Sequence, residues 1–181
     1  MDLIGVSHTG ITVSDLGRSL AFYRDVLGMK VMAQQVGTAP YLTTMTGFPG
    51  VRLKVAFLKV HDNSEHVLEL LEYASHPGPK QEQATNRPGN CHLCFMVEDI
   101  WNMYESLRAN GVHFKSEPTP ITAGVNAGGY GVYLLDPDGV TLELFQPPPR
   151  PRTQGPRSSQ IAVETVCTDK MCRVMTTGGP A

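Results

Sequence analysis

The stretch Ser7-His8-Thr9-Gly10-Ile11-Thr12-Val13-Ser14-Asp15-Leu16 is answered 84 residues later by Cys91-His92-Leu93-Cys94-Phe95-Met96-Val97-Glu98-Asp99-Ile100. In both, a histidine opens an apolar run, a valine closes it, and an aspartate precedes a helical pattern. Leu16, Leu20, Tyr23 and Leu27 follow at i, i+4, i+7 and i+11. Ile100, Met103, Tyr104 and Leu107 follow at i, i+3, i+4 and i+7, again one face of a helix. Asp15 and Asp99 are placed to cap those helices, because a carboxylate accepts from the free N–H groups of a first turn. Gly28 and Gly111 are placed to end them, because glycine tolerates a left-handed C-terminal cap.

Three strand-like runs follow each helix. In the first half they are 30–36, 51–60 and 66–73; in the second, 112–116, 131–135 and 141–145. The last two are joined by Asp136-Pro137-Asp138-Gly139, a hairpin signal. The chain therefore reads as an internal duplication of a β-α-β-β-β unit, an α+β fold of two tandem modules at about 3–75 and 88–147. The closing strands align at an offset of 74, Val67-Leu68-Glu69-Leu70-Leu71 against Thr141-Leu142-Glu143-Leu144-Phe145. Alternation puts the leucines of each run on one face and the glutamate on the other. If the leucines pack on the helix, the glutamates face the inside of a curved sheet.

Two imidazoles, His8 and His92, and two carboxylates, Glu69 and Glu143, thus occupy matched places. Each carboxylate in an apolar concave strand is costly unless paired. A single dication would satisfy both at once, and repeat-matched His and Glu suit it as ligands. The two modules are expected to bring these four side chains to one point. Cys91 and Cys94 match C-x-x-C, but residues three apart on a strand face opposite ways, so they are expected to be buried free thiols. His61, His66, His76 and His113 have no repeat partners and are expected at the surface, as is Glu72 by alternation from Glu69.

Length and charge exclude other classes. With 181 residues there is room for one domain, and 15 Lys plus Arg against 17 Asp plus Glu provide no field for nucleic acid or anionic lipid. No run approaches a membrane span and the N-terminus lacks the basic start of a signal peptide, so a cytoplasmic protein is expected. Residues 148–181 read as a Pro/Arg-rich extended tail; from 147 onward the charge is +3, which leaves −5 for residues 1–146.

The pattern of His8, then Leu20-Ala21-Phe22-Tyr23-Arg24-Asp25-Val26-Leu27-Gly28, Glu69-Leu70-Leu71-Glu72, His92-x-x-Phe95-x-Val97-x-Asp99 and Asp136-Pro137-Asp138-Gly139-x-x-x-Glu143 closely resembles the vicinal oxygen chelate superfamily, which includes glyoxalases, bleomycin-resistance proteins and extradiol dioxygenases. The resemblance spans roughly residues 3–147. It implies paired βαβββ modules forming a cupped mixed sheet around one divalent ion, with His8, Glu69, His92 and Glu143 as ligands. It also implies frequent homodimers and a small-molecule substrate with adjacent oxygens.

Fold does not choose the reaction, but the ligand set narrows it. Extradiol dioxygenases hold iron with two histidines and one carboxylate; Glu69 would be a fourth protein ligand and removes a position they need. Redox-neutral chemistry on Zn, Ni, Co or Mn is therefore expected over Fe. The ion would act as a Lewis acid and stabilise an enediolate as a proton leaves the carbon next to a carbonyl. Glu143 is the first choice of base and Glu69 the alternative. Glyoxalase I and methylmalonyl-CoA epimerase resemble this arrangement, as do cyclitol epimerases, although residues 43–51 lack the extra acid of the acyl-CoA epimerases. An iron-dependent ring-cleaving dioxygenase and a metal-free drug-binding resistance protein are the competing readings. The segments 37–50 and 122–130 are expected to border the substrate as loops.

Overall fold

A computed structural model describes residues 2–80 and 84–149. The tail that begins at residue 150, with Cys167 and Cys172, lies outside the described residues.

Each half forms its own mixed sheet. In the first, β1 (His8–Thr12), β2 (Lys30–Gly37), β3 (Leu53–Lys59) and β4 (Val67–Tyr73) run in the order β1-β4-β3-β2. In the second, β5 (Leu93–Met96), β6 (His113–Phe114), β7 (Thr119–Pro120), β8 (Tyr130–Leu135) and β9 (Thr141–Gln146) run β5-β9-β8-β6, with β7 also on β8. The order of the first sheet is repeated by the second. In both, the opening strand lies parallel to the closing one, His8 opposite Val67 and Leu93 opposite Leu142. Such parallel pairing requires a crossover, and the helix after each aspartate supplies it. Among the described residues β1 and β5 are not paired with each other, so the two sheets stay separate within the chain.

The helices begin and end where the aspartates and glycines set them. Asp15 Oδ1 accepts from Arg18 N at 2.7 Å before α1 (Leu16–Leu20), and Asp99 Oδ1 accepts from Asn102 N at 3.0 Å before α3 (Ile100–Ala109). Gly28 and Gly111 have φ of +75° and +79°. α1 continues as a π-helical turn over Ala21–Val26, which turns Phe22 inward beside Tyr23. A second cap repeats as well: Leu16 N donates to Glu72 Oε2 and Ile100 N to Gln146 Oε1, both at 2.9 Å. Glu72 therefore does not point to the exterior. It shares the face of Leu68 and Leu70, reaches past the helix start and also binds Lys54 at 2.7 Å.

The leucine faces of both sheets enter one core. Leu68, Leu70, Leu142 and Leu144 are at most 1% exposed and join Leu16, Leu20, Tyr23, Ile100 and Leu107. Polar bonds cross between modules here. The fully buried Tyr23 donates its hydroxyl to Asp136 Oδ2 at 3.0 Å, while Ser14 N and Oγ donate to Asp138 at 2.8 and 2.6 Å. Arg18 also pairs with Asp138. The Asp-Pro-Asp-Gly hairpin of the second module is thus a docking point for the first module's helix.

The segment 37–50 is not a plain loop. α2 (Pro40–Thr46) starts on Pro40 and ends on Gly47 at φ +78°. Leu42 packs with Val51, Leu53 and Val55 on the glutamate face of the first sheet, a second small core. Three threonines in seven residues give little helix propensity, so tertiary packing decides this element.

Candidate metal centre

The strands place each of the four predicted side chains on a face turned away from the shared core. In the first module Gly10 pairs with Glu69 across β1 and β4, and His8 stands two residues earlier on the same face of β1. In the second, Cys94 pairs with Glu143 across β5 and β9, and His92 lies two residues before Cys94. His8 Nε2 is 3.4 Å from Glu69 Oε2, and His92 Nε2 is 2.9 Å from Glu143 Oε2. The histidines are the more open members, 49% and 39% exposed, against 17% and 21% for the glutamates.

The structure assembles these residues as two pairs rather than as one quartet. Among the described residues no three His, Cys, Asp or Glu side chains gather closely enough to hold an ion. The reason is architectural: the leucine faces of the two sheets meet in the common core, so their opposite faces, which carry the glutamates, are not directed at one point within the chain.

The surroundings of the second pair are richer in polar groups. Cys94 lies in register with Glu143 across β5 and β9, and burial, then the Glu143 charge, pushes its thiol pKa up to about 11. Tyr133 lies opposite Glu143 across β8 and β9, with its ring edge-on to His92 at 5.2 Å and Lys115 Nζ 5.7 Å from the ring centre. Burial, then Glu143, raises the Tyr133 phenol above its ordinary value. Sequence reasoning missed Tyr133, although the Asp136–Gly139 hairpin fixes its register opposite Glu143. Cys91 and Cys94 are free thiols as expected, but both are exposed rather than buried, with Cys94 on the open face of β5. His61 and His113 are at the surface, whereas the half-buried His66 shares a hydrogen bond of 2.9 Å with Thr9 Oγ1.

A cleft of about 540 Å³ lies apart from all four residues, at the junction of the modules, lined by Thr12, Phe48, Tyr73, His76, Lys80 and Asp138 among others. Its carboxylates are already engaged by Ser14, Arg18, Lys54 and the α1 cap, so the paired His and Glu side chains remain the better placed chemistry. No helix among the described residues is long and apolar enough to cross a membrane.

The sequence model of the Glyoxalase/Bleomycin resistance protein/Dioxygenase superfamily matches residues 5–144. A Synechocystis protein named "probable lactoylglutathione lyase" is 30% identical over 139 residues, covering 77% of this chain and 92% of its own. A 2-epi-5-epi-valiolone epimerase from Actinomyces is 31% identical over 149 residues, 80% of each chain. In structure, a glyoxalase family protein from Bacillus cereus superposes with a TM-score of 0.71 at 18% identity, covering 82% of this chain and 97% of the other, a likeness of fold.

Proposed function

The chain belongs to the glyoxalase/bleomycin resistance protein/dioxygenase superfamily, with a named lyase and a named epimerase among its relatives, and we propose that it is a divalent-metal-dependent isomerase or epimerase. It would move a proton at a carbon next to a carbonyl, with His8, Glu69, His92 and Glu143 as metal ligands and Glu143 as the base. The observation that carries this reading is the repetition of one His–Glu pair on the glutamate face of each sheet.

The donor set fits a dication. Two neutral imidazoles and two carboxylates match its charge and its preference for N and O ligands. Ligand atoms about 2.1 Å from an ion and at right angles stand about 3.0 Å apart. The two pairs already have N···O separations of 2.9 and 3.4 Å. A bound ion would polarise the adjacent oxygens of a substrate and offset the negative charge that develops there. The chain supplies the proton transfer: Glu143 accepts the proton as the C–H bond breaks, exchanges it with solvent and gives a proton back to carbon.

Because the pairs remain apart in one chain, we infer that two copies complete the centre, His8 and Glu69 from one and His92 and Glu143 from the other. The edges of β1 and β5, unpaired among the described residues, support this, as does Met96 on β5, an apolar side chain left 77% exposed. An α-hydroxy ketone or thiohemiacetal is the substrate class, in line with the names of the relatives.

Metal analysis of the purified protein, followed by solvent-deuterium exchange, tests the reading. About one Zn, Ni, Co or Mn per chain is expected, lost on His92→Ala. Deuterium should enter the thiohemiacetal formed from methylglyoxal and glutathione, or a hydroxylated cyclohexanone. Ferrous iron with oxygen uptake would favour ring cleavage instead, and a folded protein that binds drug but no metal would favour sequestration.

A further inference from the structure

The two glutamates hold equivalent positions, but their neighbours across the strands are not equivalent. Glu69 is flanked by Gly10 on β1 and Phe57 on β3. Glu143 is flanked by Cys94 on β5 and Tyr133 on β8. The first pair offers a hydrogen atom and a phenyl ring, neither of which donates; the second offers a thiol and a phenol, both of which can. The thiol stands in register with Glu143, and the Tyr133 ring packs edge-on against His92, the other member of that pair.

This difference bears on which carboxylate can act. A base that is also a ligand must loosen to reach the substrate, and a carboxylate about one-fifth exposed needs another partner when it does. Glu143 has polar neighbours in register and has space: a β-carbon on Gly131 would stand 3.5 Å from Oε1, so the glycine leaves that side open. Glu69 has space beside Gly10, where a β-carbon would stand 3.7 Å from Oε2, but among the described residues its polar contact is His8, at 3.4 Å.

We propose that Cys94 and Tyr133 are positioning residues that hold Glu143 where it takes the substrate proton, making Glu143 rather than Glu69 the working base. This rests on the metal-dependent reading above and narrows it. With one base, the C–H proton passes to the Glu143 carboxylate, where it can exchange with solvent, the electron pair stays on the substrate's oxygen-bearing carbons, and the Glu143 carboxylic acid gives a proton to the neighbouring carbon on the same face. The reaction class is then one-face isomerisation rather than epimerisation by two bases on opposite faces.

The test uses Cys94→Ala, Cys94→Ser and Tyr133→Phe, the last giving the second module the phenyl ring of the first. With zinc-loaded protein and the thiohemiacetal of methylglyoxal and glutathione, Cys94→Ala and Tyr133→Phe should each lower kcat about 10-fold, the loss typical of residues behind a ligand. KM and zinc content should stay unchanged, and Cys94→Ser should restore most of the rate. Wild-type kcat in both Cys94→Ala and Tyr133→Phe, with Glu143→Gln inactive, overturns the positioning roles alone. Undiminished deuterium exchange in Glu143→Gln overturns the base assignment itself. A readout independent of metal and substrate is alkylation of Cys94, followed by mass spectrometry with Cys91 as internal reference. It should accelerate several-fold in Glu143→Ala, which uncovers the thiol by removing the side chain in register with it, and an unchanged ratio overturns the contact.

Discussion

Two inactive variants of this protein are expected to make an active mixture. His8→Ala/Glu69→Gln removes the first module's pair, and His92→Ala/Glu143→Gln removes the second's. If each centre takes one pair from each of two copies, neither variant alone can build a complete set. A mixed dimer can. One of its two centres has lost all four ligands, but the other combines the intact first module of one copy with the intact second module of the other. Random exchange of subunits makes about half of the dimers mixed, and each has one working centre of two, so the mixture should recover about a quarter of the wild-type rate. The prediction comes directly from the placement of the His–Glu pairs on separate sheets, with no shared cluster among the described residues. The assay is to co-refold differently tagged variants, isolate the doubly tagged species and measure thiohemiacetal turnover with zinc. A doubly tagged dimer no more active than its parents would refute a centre shared between copies.

Two further predictions concern the junction that holds the modules together. Tyr23→Phe deletes the buried hydroxyl 3.0 Å from Asp136 and should cost about 1.5–3 kcal/mol, a hydrogen bond to a charged group, lowering Tm by roughly 2–4 °C per kcal/mol. Burial raises the Asp136 pKa while the Tyr23 bond favours its ionised form, so the cost should shrink on acidification as Asp136 protonates; a deficit unchanged between neutral and acid pH would contradict this. For Asp138, burial alone acts to raise the pKa, but the Ser14 hydroxyl and amide and the Arg18 charge outweigh it and hold the group below its ordinary 3.8. A depressed carboxylate stabilises the fold above its unfolded value and loses that contribution as pH falls through its folded one. Asp138→Asn should therefore be less stable than wild type near neutrality, with the gap closing in acid urea melts.

Much of the architecture can be read in the chain because duplication states it twice. The apolar alternation around Glu69 and Glu143 assigns the leucines to a core, and the leucines are buried as that pattern requires. Asp15, Asp99, Gly28 and Gly111 act locally, through the free N–H groups of a helix start and the left-handed turn of a helix end, so their roles are visible without tertiary context. The caps from Glu72 and Gln146 went unread although they share the 74-residue offset of the closing glutamates: alternation puts Glu72 on the leucine face, and it is the helix start seated there, not solvent, that receives it. α2 was not legible, because its threonine-rich sequence becomes helical through the seating of Leu42 on the first sheet.

What the sequence determined by itself is therefore the repeat, the order of the strands and helices that it repeats, and the side of each sheet on which His8, Glu69, His92 and Glu143 stand, because periodicity and capping act over a few residues. Only the tertiary structure decided that the leucine faces of the two modules share one core, which leaves the His–Glu pairs separate within a chain, and that Glu143 but not Glu69 lies between a thiol and a phenol. Those outcomes depend on how whole sheets pack and register, and burying two apolar faces against each other is a long-range choice that no local pattern encodes.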